Sequence, residues 1–126
     1  MSLRHLLSVN VFLAGFFGLT CALVPRELCQ AYGLPLDAAG VWVSRLLGGS
    51  LLGLSTLMWF GSRSSSAEVR RAIAVALLIQ DTVGLLASLG IQLGGAINAV
   101  GWSNIVLYGL LAGGYGYFLL LRPDRI

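Results

Sequence analysis

The stretch AIAVALLIQDTVGLLASLGI, residues 72–91, decides the fold, because its twenty residues carry a single charge, Asp81, and no proline. A helix of that length extends about 30 Å at 1.5 Å per residue, which is the thickness of the hydrocarbon core of a bilayer. Residues 6–24, 38–60 and 101–121 have the same character, and little chain is left over. The expectation is an all-α integral membrane protein of one domain over residues 1–126. It has four transmembrane helices arranged as two antiparallel hairpins in one bundle. A short interfacial helix is expected at about residues 25–33, where Pro25 can open a helical turn and Gly33 can end one. Arg4 and His5 precede the first apolar run as in a signal peptide, but the run is long and reads as a retained helix.

Composition excludes several classes of function. Hydrophobic residues make up 57% of the 126 and charged residues 10%, against roughly 25% charged in soluble domains. The mean hydropathy is +0.87. All eight basic residues are arginines scattered along the chain, so the net charge of +3 builds no basic face and nucleic acid is excluded as a partner. Two cysteines and one histidine cannot form a structural zinc site or a disulfide scaffold. No nucleophile stands beside a base, no carboxylates are paired, and no glycine-rich phosphate loop follows a strand. No catalytic residue and no metal site is assigned.

Arginine placement sets the expected orientation. Arg4, Arg63, Arg70, Arg71, Arg122 and Arg125 fall on one side of a four-span topology and Arg26 alone on the other, so both termini are expected in the cytoplasm. Trp42 and Trp102 then fall near the outer interface, and Trp59, Tyr115 and Tyr117 near the inner one.

In lipid, helices associate through close packing of small residues and interhelical hydrogen bonds, since lipid tails are as apolar as leucine. Candidate packing positions are Asn10 and Gly18 on the first span, Gly49 and Gly53 on the second, Gly84 on the third, and Gly109 and Gly113 on the fourth. Arg45 lies seven residues into the second span, about 10 Å below its outer end. It shares a face with Gly49 and Gly53, four and eight residues on. Asp81 lies about 15 Å below the outer end of the third span. Intramembrane charges face the bundle interior and pair, so an Arg45–Asp81 ion pair is expected. Two readings stand side by side. The pair is a structural clamp between two helices, or it is a polar ligand or proton site with Gln80, Asn104 and Tyr108 as co-liners. Cys21 and Cys29 flank Pro25 at a separation that permits a disulfide, with free thiols the simpler expectation. His5 reads as a solvated interfacial side chain.

Over most of its length the chain resembles a group of small bacterial four-helix membrane proteins of unknown function, broadly the DoxX-like proteins. The residues that carry the likeness are Pro25-x-x-Leu28, Tyr32-Gly33, Asp37-x-x-Gly40 and Arg45-Leu46-x-Gly48-Gly49. The resemblance implies an inner-membrane bundle, in some members an accessory partner of redox or respiratory systems, and supplies no chemistry for particular residues.

Two functional expectations follow. Seventeen glycines spread over all four spans offer more small-residue surface than one bundle needs. The first reading is therefore a non-catalytic accessory or scaffold subunit that docks on other membrane-protein subunits, or on itself, through small-residue faces. The alternative is a binding or carrier protein for a small amphiphile, a lipid, quinone or pigment, held near Arg45 and Asp81. No other cofactor is expected.

Overall fold

The computed structural model describes residues 1–126 and is all-helical. Its elements are α1 (Leu3–Leu23), α2 (Pro25–Ala31), α3 (Ala38–Arg63), α4 (Ala67–Leu93) and α5 (Gly101–Gly116). A wider π turn, Tyr117–Leu121, continues α5, and a single 3-10 turn, Pro123–Arg125, follows. Four helical stretches are long and apolar enough to cross a membrane: α1, α3, α4 and Gly101–Leu121. Local chemistry sets their limits. The Asp37 carboxylate accepts from the Gly40 N–H at 2.7 Å and starts α3, and the Ser66 hydroxyl accepts from the Val69 N–H and starts α4. Pro25 opens α2 and Gly33, at φ +77°, ends the turn after it in a conformation that favours glycine. The bundle perimeter is apolar, with Phe12, Ile79, Leu110 and Leu120 all more than 60% exposed, as a lipid-facing surface requires.

The helices pack in pairs, α1 along α3 and α4 along α5, with much thinner contact between the pairs. The α1–α3 seam is built on small residues. A Cβ on Gly48 would stand 2.6 Å from the Gly18 carbonyl oxygen and 2.7 Å from the Ala22 nitrogen, so the two backbones touch there. Two hydroxyls bond across the seam: Ser44 Oγ donates to the Cys21 carbonyl at 3.2 Å and Ser55 Oγ to the Val11 carbonyl at 2.8 Å. Interhelical bonds of this kind contribute about 0.6 kcal/mol each in a membrane. The α4–α5 seam closes where the Tyr108 ring lies over Gly84, leaving no room for a Cβ.

The two pairs meet mainly at one end. Leu3, Leu7, Met58, Ala74, Leu77, Tyr115 and Phe118, each 2% exposed or less, form a core drawn from all four long helices in the half that carries both termini and the α3–α4 loop. Asn10 Nδ2 donates to the Tyr115 hydroxyl at 2.8 Å and ties α1 to α5 at the inner edge of that core. Arg70, 5% exposed, donates to the Ser64 and Ile126 carbonyls and binds the chain end to the α3–α4 loop.

Two sequence expectations change here. Tyr115 belongs to the core and not to an interfacial belt, because it shares a helix face with Leu111 and Phe118 and its hydroxyl has an internal partner in Asn10. The α3 face that packs is that of Ser44, Gly48 and Ser55, whereas Gly49 and Gly53 look outward with nothing within 4 Å of an added Cβ, as do Gly109 and Gly113 on α5. Gly49 and Gly53 form the more conspicuous pair in the sequence, but Ser44 and Ser55, on the face of Gly48, have backbone acceptors on α1. The hydrogen bonds select the adjacent face.

Substitution separates the two faces. Gly48→Val forces a Cβ into backbone atoms and is expected to lower stability by about 1–3 kcal/mol, read as a drop of several degrees in thermal unfolding in mild detergent. Gly53→Val is expected to unfold with the unsubstituted protein.

Candidate functional site

In the half of the bundle nearer α2 the two helix pairs do not close on each other. The space left between them is a cavity of about 630 Å³. Its floor is the edge of the core, Asn10, Ala14, Met58, Leu77 and Leu111. Its roof is α2 and the segment after it, which contribute Leu28, Tyr32, Leu34 and Leu36. The roof is bonded to the opposite helix pair at three points. Tyr32 Oη donates to Asn104 Oδ1 at 2.8 Å, Asn98 Nδ2 donates to the Ala31 carbonyl at 2.9 Å, and the Asn98 N–H donates to the Tyr32 carbonyl at 3.0 Å. The two side-chain bonds span 67 and 72 residues of sequence, and all three bridge the pairs at the end where helix packing does not.

Nineteen of the 25 residues around the cavity are hydrophobic, and its few polar side chains are therefore conspicuous. Asp81 stands near the middle of α4, about 21 Å from Ala67 and 18 Å from Leu93 at 1.5 Å per residue. It is 2% exposed, it lines the cavity, and its Oδ2 has no hydrogen-bond partner. Burying such a group without a partner is costly, and an unmet buried polar atom in a native fold calls for an explanation. Gln80, Asn104 and Tyr108 line the same space. So do both cysteines, Cys21 on α1 and Cys29 on α2, as free thiols. No arginine, lysine or histidine does. No group of three or more His, Cys, Asp or Glu residues is placed to hold a metal ion.

The expected Arg45–Asp81 pair is not formed. Arg45 is exposed and outside the cavity lining, on the outward α3 face it shares with Gly49 and Gly53. The ion pair present is Arg122–Asp124, at 3.4 Å and exposed. The physical reason is the face selection described above: once Ser44 and Gly48 turn toward α1, the neighbouring position must turn outward. An arginine seven residues from a helix end can lay its stem along apolar surface and extend its guanidinium toward a polar interface. His5 is exposed and bonded to Ser2 Oγ at 2.8 Å.

Of the residues singled out from sequence, Asp81, Gln80, Asn104 and Tyr108 thus surround one space without Arg45. Gly84 seats the Tyr108 ring one turn from Asp81, and Asn10 lies in the floor. Sequence reasoning missed Tyr32 and Ser44. The signal for Tyr32 was an amphipathic ring on a short helix next to a turn glycine, which can reach inward only if that segment folds over the bundle. Compared with family models, with curated proteins and with solved structures, the chain matches none.

Two substitutions distinguish an idle polar group from a structural one. Asp81→Leu removes an unmet buried carboxyl and is expected to raise the stability of the ligand-free protein by about 1–3 kcal/mol. Tyr115→Phe leaves the Asn10 amide without its partner and is expected to lower stability by about 1 kcal/mol. Thermal unfolding in one detergent reads both, and destabilisation by Asp81→Leu would mean that the carboxyl supports the fold.

Proposed function

We propose that this protein is a non-catalytic binding or carrier protein for a small amphiphile, held in the cavity between the α1–α3 and α4–α5 helix pairs. The observation that carries this reading is a buried carboxyl without a partner in the wall of an otherwise apolar cavity. The volume falls within the range of about 300–1,000 Å³ usual for small-molecule sites, and apolar walls with a few polar groups are their usual lining. A space of that size excludes a protein segment of any length and suits a single apolar chain with a small head.

The topology that goes with this reading is two antiparallel hairpins in a bacterial inner membrane with both termini cytoplasmic. It is supported by the six arginines at the end of the bundle that carries the termini and the α3–α4 loop. The likeness to DoxX-like proteins is part of the same proposal and rests on the motifs between Pro25 and Gly49. A second reading, an accessory subunit in a larger membrane complex, is favoured by Gly49, Gly53, Gly109 and Gly113, where the backbone is open to close approach from outside.

Purification in mild detergent followed by native mass spectrometry tests the first reading. A defined amphiphile is expected in near-stoichiometric amount, and Leu51→Trp, which fills the cavity from α3, is expected to reduce its retention by about tenfold or more. Recovery of bulk lipid alone, with a stoichiometric set of other subunits, would favour the second reading. For the topology, a green fluorescent protein fused after Ile126 is expected to fluoresce and a periplasmic phosphatase at the same point to be inactive.

A further inference from the structure

The charge inventory of the cavity restricts the head group of its occupant. Among the side chains around it there is one acid, Asp81, and no base, since the basic residue nearest in depth, Arg45, is turned to the perimeter. An anionic head, a carboxylate or a phosphate, would meet a like charge or a bare carboxyl acceptor and nothing to balance it. A head that only accepts hydrogen bonds can be met by Asp81 only as its neutral acid, without the gain of an ion pair. A head that donates, and above all one that carries positive charge, meets the unpartnered oxygen and balances the buried charge at the same time.

The geometry also shows how such a molecule is accommodated. Val43, Leu47 and Ile91 line the cavity and are themselves 56%, 52% and 40% exposed, so the space opens between α3 and α4 on the apolar perimeter and not at a polar end. From the level of Ile91 to Asp81 is about 15 Å along α4. The roof is closed by the Tyr32–Asn104 and Asn98 bonds and the floor by the core. The polar head therefore lies deepest, near the middle of the bundle, and the apolar chain leads out sideways toward lipid.

Resting on the reading of the cavity as an amphiphile site, we propose that its occupant is a single-chain lipophilic amine. Its ammonium head donates to the Asp81 carboxylate and its hydrocarbon chain lies in the opening between α3 and α4. Gln80 and Tyr108, beside Asp81, supply neutral polar company for the remaining ammonium hydrogens. Anionic lipids and fatty acids find no balancing cation in the same wall.

Retention of three probes that share one chain, dodecylamine, dodecanol and dodecanoic acid, by the protein in lipid nanodiscs tests the proposal, with empty nanodiscs as background. Dodecylamine is expected to be retained about tenfold or more above dodecanoic acid. Asp81→Asn is expected to reduce amine retention by about tenfold or more and to change dodecanol retention by less than about twofold. Equal retention of acid and amine by the unsubstituted protein overturns the proposal without any variant, and so does an unchanged amine retention in a folded Asp81→Asn protein. If all three probes are retained alike and Leu51→Trp abolishes them alike, the amphiphile reading stands and the amine assignment falls. If none exceeds the empty nanodiscs, both fall.

Discussion

The hydrogen bond from Asn10 to the Tyr115 hydroxyl is the point on which the bundle turns. It joins the first long helix to the last, and it lies where the core ends and the cavity begins. On one side of it Leu3, Leu7, Leu77 and Phe118 fill the space between the helix pairs. On the other side the pairs part. An apolar contact at this level would hold the helices no better than lipid does, because the hydrophobic effect gives little preference for protein over tails. A buried amide and a buried phenol have no partner in lipid and so define one register of α1 against α5. The packed half can then hold the open half at a fixed separation.

At the other end the same task falls to a segment outside the long helices. α2 and the turn that follows contain Arg26, Glu27 and Asp37 on the outside and Leu28, Tyr32 and Leu36 on the inside, so the segment has a polar surface and an apolar underside. Gly33, at φ +77°, lets the chain reverse, and Arg26 donates to the Leu36 carbonyl and holds the reversed strand of backbone in place. The bonds to Asn98 and Asn104 then fix the roof to the second helix pair. The cavity persists because both ends are bonded, and its middle is not required to pack.

How much of this could be read from the sequence depends on which physical signal a residue gives. Length and hydropathy place four long helices to within a few residues, because the cost of unsatisfied backbone in lipid leaves no other structure for such stretches. Rotation about the helix axis is a weaker signal. On α3 the candidates differ by one position, Gly48 against Gly49, and 100° of rotation decides whether Arg45 faces Asp81 or lipid. Glycine spacing pointed to the wrong face because Gly49 and Gly53 repeat at four residues, while the face actually used combines one glycine with Ser44 and Ser55. Their acceptors, the Cys21 and Val11 carbonyls, become visible only once α1 is alongside. Asp81 was legible from depth alone, since a carboxyl near the middle of a twenty-residue apolar stretch has no route to water. What surrounds it was legible only in part: Asn104 and Tyr108 share a helix face in the sequence, but Tyr32 reaches Asn104 across 72 residues.

The position of Arg45 bears on why Asp81 is left unmet. A buried arginine beside it would neutralise the carboxyl at little or no net gain in stability, and the cavity wall would then be closed chemistry, with no polar atom seeking a partner. Turning Arg45 outward lets its side chain extend toward the interface at small cost and leaves Asp81 as the single carboxyl, with no base beside it, in an apolar space. Selection for stability alone would not keep it, since a leucine fits an apolar wall and removes the desolvation penalty. The carboxyl, the side opening between α3 and α4, and the bonded roof are three separate features drawn from different helices. They converge on one space of about 630 Å³. A cavity that served only to separate the helices would need the bonded roof but neither the carboxyl nor the side opening, whereas a site that takes a molecule out of lipid head first needs all three.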